Sequence, residues 1–254
     1  MNRLSPVAAA SILGLVLAMS STADLAAAEI KVVAGGSLVP LFKELGPPFE
    51  KASGHKLSIH FDSTPNIVAR IASGTPFDAV LVPFDVFKDA GAKARCAPST
   101  IVDIAHVGYG VIVRAGAPKP DISTSDALKQ TLLAAPSIAF VPASAAGAYI
   151  TGVFERLGID KNMQAKTKPE SAPVKIAPAV ARGDAALGIF LMNVLVAPGV
   201  ELVGPIPAEL QQELVFTAAV AADSKQADAA KAFIDYLRTP EAAAVIKAAG
   251  MNPG

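Results

Sequence analysis

Residues 30–38 read Ile30-Lys31-Val32-Val33-Ala34-Gly35-Gly36-Ser37-Leu38, a strand-forming run that ends in two glycines and a serine. Beyond it, Leu38, Leu41, Phe42, Leu45 and Phe49 recur at helical spacing. A strand that turns directly into a helix is the repeating unit of an α/β protein. Gly35 and Gly36 let another group approach the main chain, and Ser37 is placed to open the helix. The start of a helix carries unpaired N–H groups and the positive end of the helix dipole, so such a turn favours an anion.

The arrangement returns twice. Leu57, Ile59 and Phe61 alternate with Ser58, His60 and Asp62 as a half-buried strand, and Asp62-Ser63-Thr64-Pro65-Asn66 follows. Pro65 suits the first turn of a helix whose inward residues are Ile67, Val68 and Ile71. Ala143-Ser144-Ala145-Ala146-Gly147 follows a strand at Ser137–Val141 and opens a helix to about Leu157. A single Ser or Thr at a helix start serves its own helix. Three such turns in one α/β chain point to a protein that grips a small anion between helix ends.

The remaining segments keep the alternation. Strands are expected at Asp78–Pro83, Asp103–Arg114, Ala186–Phe190 and Leu214–Ala221. Helices are expected at about Asp85–Ala94, Ala127–Ala134, Val174–Arg182, Lys225–Arg238 and Pro240–Ala249. Ser123 with Asp126 reads as a variant capping box, Thr239 as an N-cap and Gly250 as a stop signal. Pro47-Pro48 is expected to kink or interrupt the first helix.

The chain of 254 residues carries 22 basic and 22 acidic side chains, which is no footprint for nucleic acid. Arg3, the apolar stretch Leu4–Met19 and the small residues Ala26-Ala27-Ala28 read as a signal peptide over residues 1–28. The apolar stretch is short for a bilayer, which needs about 20 residues. The single cysteine, Cys96, cannot form an internal disulfide and reads as a small buried hydrophobe.

With these segments in order, the chain resembles the molybdate-binding type of periplasmic solute-binding protein, a two-lobed class that serves ABC importers. AGGSL at 34–38 resembles that family's Ala-Ala-Ser-Leu turn, and FDSTPNIVARIASGTPFD at 61–78 its second binding turn, helix and approach to the next strand. Ala146-Gly147-Ala148-Tyr149 with FERLGI at 154–159 resembles its lobe-2 turn, ARGDAALGI at 181–189 its last lobe-2 strand, and AAKAFIDYLRTPEAAAVIKAAGM at 229–251 its C-terminal helix pair. The resemblance implies two α/β lobes, each a mixed, mostly parallel sheet flanked by helices and joined by two crossover strands. Lobe 1 would hold residues 29–107 plus 214–254, and lobe 2 residues 108–213.

The implied ligand set is Gly36, Ser37 and Thr64 from lobe 1, with Ser144 and Ala146 from lobe 2. Two positions depart from the molybdate pattern. Pro173, which has no N–H, stands where the family offers a main-chain donor, and Leu191 where it places a tyrosine hydroxyl. Ala172 or Asn193 would have to replace the missing donor. The resemblance implies a periplasmic monomer that hands a small anion, either a molybdate-type oxyanion or a small organic carboxylate, to a permease in the inner membrane. It implies no catalytic residue, metal or cofactor, and no nucleic-acid partner. The alternative is a secreted α/β enzyme that uses the face shared by His60 and Asp62. His55 and His106 are expected at the surface or hinge, and Arg70, one turn beyond Asn66, reads as a salt-bridged or solvated side chain before it reads as a contact to an acidic ligand.

Overall fold

The computed structural model describes residues 27–254, so the stretch read as the export signal lies almost wholly outside the described residues. The chain opens with β1 (Glu29–Gly35), α1 (Val39–Ser53), β2 (Lys56–Asp62), α2 (Thr64–Ala72), β3 (Ala79–Pro83), α3 (Ala90–Ala94) and β4 (Val102–Val107). It continues through β5 (Tyr109–Arg114), α4 (Ser125–Ala134), β6 (Ile138–Phe140), α5 (Ala145–Arg156), α6 (Asp160–Lys166), β7 (Thr167–Pro169), α7 (Ile176–Arg182), β8 (Leu187–Leu191), α8 (Met192–Leu195) and β9 (Val200–Pro205). It closes with β10 (Leu214–Val220), α9 (Ala227–Tyr236), α10 (Pro240–Ala248) and β11 (Asn252–Pro253).

The strands form two sheets, in the orders β11-β4-β10-β3-β1-β2 and β7-β6-β8-β5-β9. Both are mixed. In the first, β10 and β11 run against the other strands; in the second, only β5 does. The reversed strands β5 and β10 are those on which the chain enters a sheet from the other one. Alternation along the strands builds a core on each face of the first sheet. Ile30, Val32, Ala34, Ala79 and Leu81 join the larger core, whereas Val33, Val80 and Val82 join Ile67, Ile71 and Phe87 in a second one. Phe42 and Phe49 of α1 meet Phe233 of α9 with ring centres 5.9 and 5.0 Å apart, which locks the C-terminal helices onto the first lobe. Cys96 packs in the second core, and burial pushes its thiol up to about 11.

Several elements differ from the sequence reading. The stretch Asp103–Arg114 is not one strand: Gly108 breaks it, β4 stays in the first sheet and β5 joins the second. A Cβ at Gly108 would stand 3.2–3.3 Å from the Gln211 side chain, so the crossing is packed too tightly for another residue to enter freely. Helix α1 runs unbroken through Pro47 and Pro48. Lys43, Glu44 and both prolines lie on its exposed face, where water can bond the carbonyls the prolines leave free, while Leu41, Phe42, Leu45 and Phe49 anchor the buried face. The expected helix at 85–94 is a 3-10 turn, Phe84–Lys88, then α3, with Asp89 capping α3 through the Ala92 N–H. Thr124, not Ser123, caps α4. His55 is buried, with Nδ1 accepting from Ala28 N–H at 3.1 Å.

Candidate functional site

Strands β1, β2 and β3 run parallel and end at the same edge of their sheet, with Gly35 opposite Asp62. Strands β6, β7 and β8 do the same in the other sheet. In open α/β sheets, ligands bind outside such carboxyl ends, where helix N-termini gather. Here the two sets of ends meet around a cavity of about 150 Å³. Gly35, Asp62 and Pro83 line it from the first lobe, and Val141, Leu191 and Ser171–Val174 from the second.

The first lobe contributes Gly36, Ser37 and Thr64, all on the cavity wall. Ser37 is not the cap of its helix. It sits inside a 3-10 turn, Gly36–Leu38, that leads into α1, and the preceding Gly35 holds the cap position. Its hydroxyl and main-chain N–H have no protein partner among the described residues. Thr64 is likewise the first residue of α2, with Ser63 at the cap position. The Thr64 Oγ1 accepts from Ala145 N–H at 3.2 Å, a hydrogen bond that crosses between the lobes.

The second lobe contributes Ser144, Ala146 and Ala172, again on the wall. Ser144 caps α5: its Oγ accepts from Gly147 N–H at 2.9 Å and donates to the Val141 carbonyl at 2.8 Å. This hydroxyl is therefore spent largely on the turn itself. A Cβ at Gly147 would fall 1.9 Å from the Val141 carbonyl oxygen, so only glycine lets α5 start where it does. The N–H groups of Ala146 and Ala172 have no protein acceptor among the described residues. Ser171, which the sequence reading missed, also lines the cavity and accepts from Lys175 Nζ at 2.9 Å. Nothing in the spacing marked it, because its turn opens on Pro173 without a capping signal.

Asn193 is not on the wall. It is buried one layer behind, where its Nδ2 donates to the Ser37 carbonyl at 2.8 Å. Its Oδ1 is buried without a partner among the described residues. The positions that depart from the molybdate pattern, Pro173 and Leu191, do face the cavity. With Phe61, Leu214 and Phe216 they give it a carbon wall. Arg70 does not line it.

No lysine, arginine or histidine lines this cavity among the described residues, and its one charged side chain is Asp62. The Asp62 Oδ1 accepts from Ser63 N–H at 2.7 Å and from Asn66 Nδ2 at 2.8 Å, and His60 Nε2 stands 3.4 Å from Oδ2. Burial works to raise the Asp62 pKa, but the hydrogen bonds from Asn66 and Ser63 and the neighbouring His60 outweigh it, and the net shift is downward. His60 and Asp62 thus form a pair as the sequence suggested, with Asp62 alone on the wall. Among the described residues no three His, Cys, Asp or Glu gather in a way that could hold a metal ion.

Paired sheets that close helix starts over an interlobe cavity define a two-lobed solute-binding fold, and the chain belongs to the family described as bacterial extracellular solute-binding protein, which matches residues 30–252. It is similar to an aconitate isomerase of a Pseudomonas species, 35% identical over 247 residues, covering 93% of this chain and 94% of that one. It is also similar to the molybdate-binding protein ModA of Azotobacter vinelandii, 27% identical over 237 residues, covering 88% and 90%. A solved periplasmic molybdate-binding protein of Azotobacter vinelandii shares the fold, with a TM-score of 0.73 at 21% identity, covering 87% of this chain and 98% of that one.

Proposed function

We propose that this chain is a periplasmic binding protein that closes its lobes, residues 29–107 plus 214–254 and 108–213, on a small organic polycarboxylate of the size of aconitate. It hands that ligand to the permease of an ABC importer and acts as a monomer. The observation that carries the reading is the mixed lining of the cavity. Hydroxyls and free N–H groups at Ser37, Thr64, Ala146 and Ala172 share its wall with the carbon of Phe61, Leu191, Leu214 and Phe216. A tetrahedral oxyanion needs donors all round, and a buried oxygen left without one is costly. The cavity is also on the order of ten times the space that one water requires. That room suits a carbon skeleton with charged groups at its ends.

Charge is supplied without a cation on the wall. The starts of α1, α2 and α5 converge there, and each helix start is equivalent to roughly half a positive charge. Such a site binds anions through fixed dipoles.

A second reading is catalytic. The Pseudomonas relative carries an isomerase name, and Asp62 is a carboxylate on the wall that could accept a proton from a bound acid. Calorimetric titration with cis- and trans-aconitate, citrate and tricarballylate, set against molybdate, tungstate and sulfate, tests the first reading. Binding of a carboxylate without binding of the oxyanions supports it, and submicromolar molybdate with silent carboxylates defeats it. Proton NMR of cis-aconitate incubated with the protein tests the second: conversion to the trans isomer makes the chain an enzyme.

A further inference from the structure

Asp62 is an unusual presence in a cavity that otherwise favours anions. Its position is fixed. Ser63 N–H and Asn66 Nδ2 both hold Oδ1, so the carboxylate is tied into the turn that opens α2. Oδ2 is different. Its nearest partner is His60 Nε2 at 3.4 Å, longer than an ordinary hydrogen bond. An ionised carboxylate offers about four lone-pair sites and no donor. Asp62 therefore keeps acceptor capacity that the described residues do not fill, and its hydrogen bonds favour the ionised form.

This has opposite consequences for two kinds of ligand. An anion without a hydrogen to donate meets a like charge in a partly enclosed, low-dielectric site, where repulsion is strong. An anion with a hydroxyl turned toward Oδ2 makes a charge-assisted hydrogen bond instead. One group thus rejects the first class and attracts the second, which is how binding sites achieve selectivity beyond raw affinity. The neighbouring donors at Ser37, Thr64 and Ala146 serve the ligand's carboxylates in either case.

We propose that Asp62 selects, among small organic acids, those that carry a hydroxyl beside their carboxylates. This rests on the polycarboxylate reading above and narrows it to hydroxy acids. The test uses matched pairs that differ by one hydroxyl: citrate with tricarballylate, and malate with succinate. Each is titrated calorimetrically into the wild-type protein and into Asp62→Asn. The substitution keeps an oxygen for Ser63 and Asn66 and removes the charge. The wild type should favour the hydroxylated member of a bound pair by about tenfold or more. Asp62→Asn should erase most of that ratio and tighten binding of the plain acid. Equal affinities within a pair for the wild type, or an unchanged ratio in Asp62→Asn, overturn the inference. Should the variant fail to fold, the wild-type ratios decide alone. Failure of the underlying reading has a separate signature, in which only inorganic oxyanions bind. Hydrogen phosphate against sulfate then replaces the organic pairs: preference for hydrogen phosphate sustains the role of Asp62, and equal binding overturns it.

Discussion

Gln211 holds both main-chain polar groups of Tyr109. Its Oε1 accepts from Tyr109 N–H at 2.8 Å, and its Nε2 donates to the Tyr109 carbonyl at 2.9 Å. Tyr109 follows the first crossing between the lobes and Gln211 lies on the second, so one side chain ties the two crossings together. Replacing Gln211 with Ala leaves the Tyr109 N–H without its partner in a buried setting, while the Tyr109 carbonyl keeps the Ile206 N–H at 3.0 Å. Unfolding in urea should show a loss of about 1–3 kcal/mol. A variant as stable as the wild type would mean that water serves this N–H equally well.

The three hydroxyl turns are expected to separate by role. Ser37→Ala and Thr64→Val should each weaken ligand binding by roughly 1–2 kcal/mol with little change in stability. Ser144→Ala should instead lower stability by about 1 kcal/mol, since its hydroxyl caps α5. Parallel titration and thermal melts of the three variants check this. Equal loss of affinity in all three would show that Ser144 also serves the ligand.

Asn193 acts across the lobes without lining the cavity. Its hydrogen bond to the Ser37 carbonyl exists only while the lobes are together. Asn193→Leu removes that bond and also the unpartnered Oδ1. Stopped-flow measurement should find faster ligand release with a nearly unchanged association rate. An unaltered release rate would remove Asn193 from the closing motion.

Stability should fall on acidification, with the sign set by lowered carboxylate pKa values. The Leu57 N–H bonded to Glu50 at 2.8 Å, followed by the neighbouring Lys56, holds its carboxyl low against the opposing effect of burial. A group lowered in the folded state binds fewer protons there than in the unfolded chain. Its contribution is therefore complete above the ordinary glutamate value of about 4.3 and is lost as pH falls through the lower folded value. Urea unfolding at stepped pH should show a shallower acid slope in Glu50→Gln than in the wild type.

Much of this was legible because local and global signals agree. The period of two in β2 and the helical spacing after Ser37 and Thr64 set the elements, and six of the seven expected site residues line one cavity. What escaped depends on tertiary context. Nothing local distinguishes Gly108, where a continuous strand pattern passes from one sheet to the other, from a glycine within a strand. The shift of the caps from Ser37 to Gly35 and from Thr64 to Ser63 is a matter of one residue, below what propensity resolves. Strands β7, β9 and β11 were missed because each is an edge strand, stabilised by its neighbour more than by its own pattern. Asn193 and Ser171 took their positions from the packing of the lobes.

Strand β10 lies between β3 and β4, in the middle of the first sheet, although it comes more than a hundred residues after either in the case of β4 and further still for β3. The second sheet, by contrast, is built from one unbroken stretch, β5 to β9. The two halves therefore face different problems of assembly. The second can gather its strands from nearby chain, whereas the first must wait for the C-terminal segment before its centre exists, at the entropic cost of closing a long loop. Truncation before Leu214 accordingly strips the interior of the sheet rather than trimming a tail, and a nascent chain halted there would expose the apolar faces of β3 and β4 together.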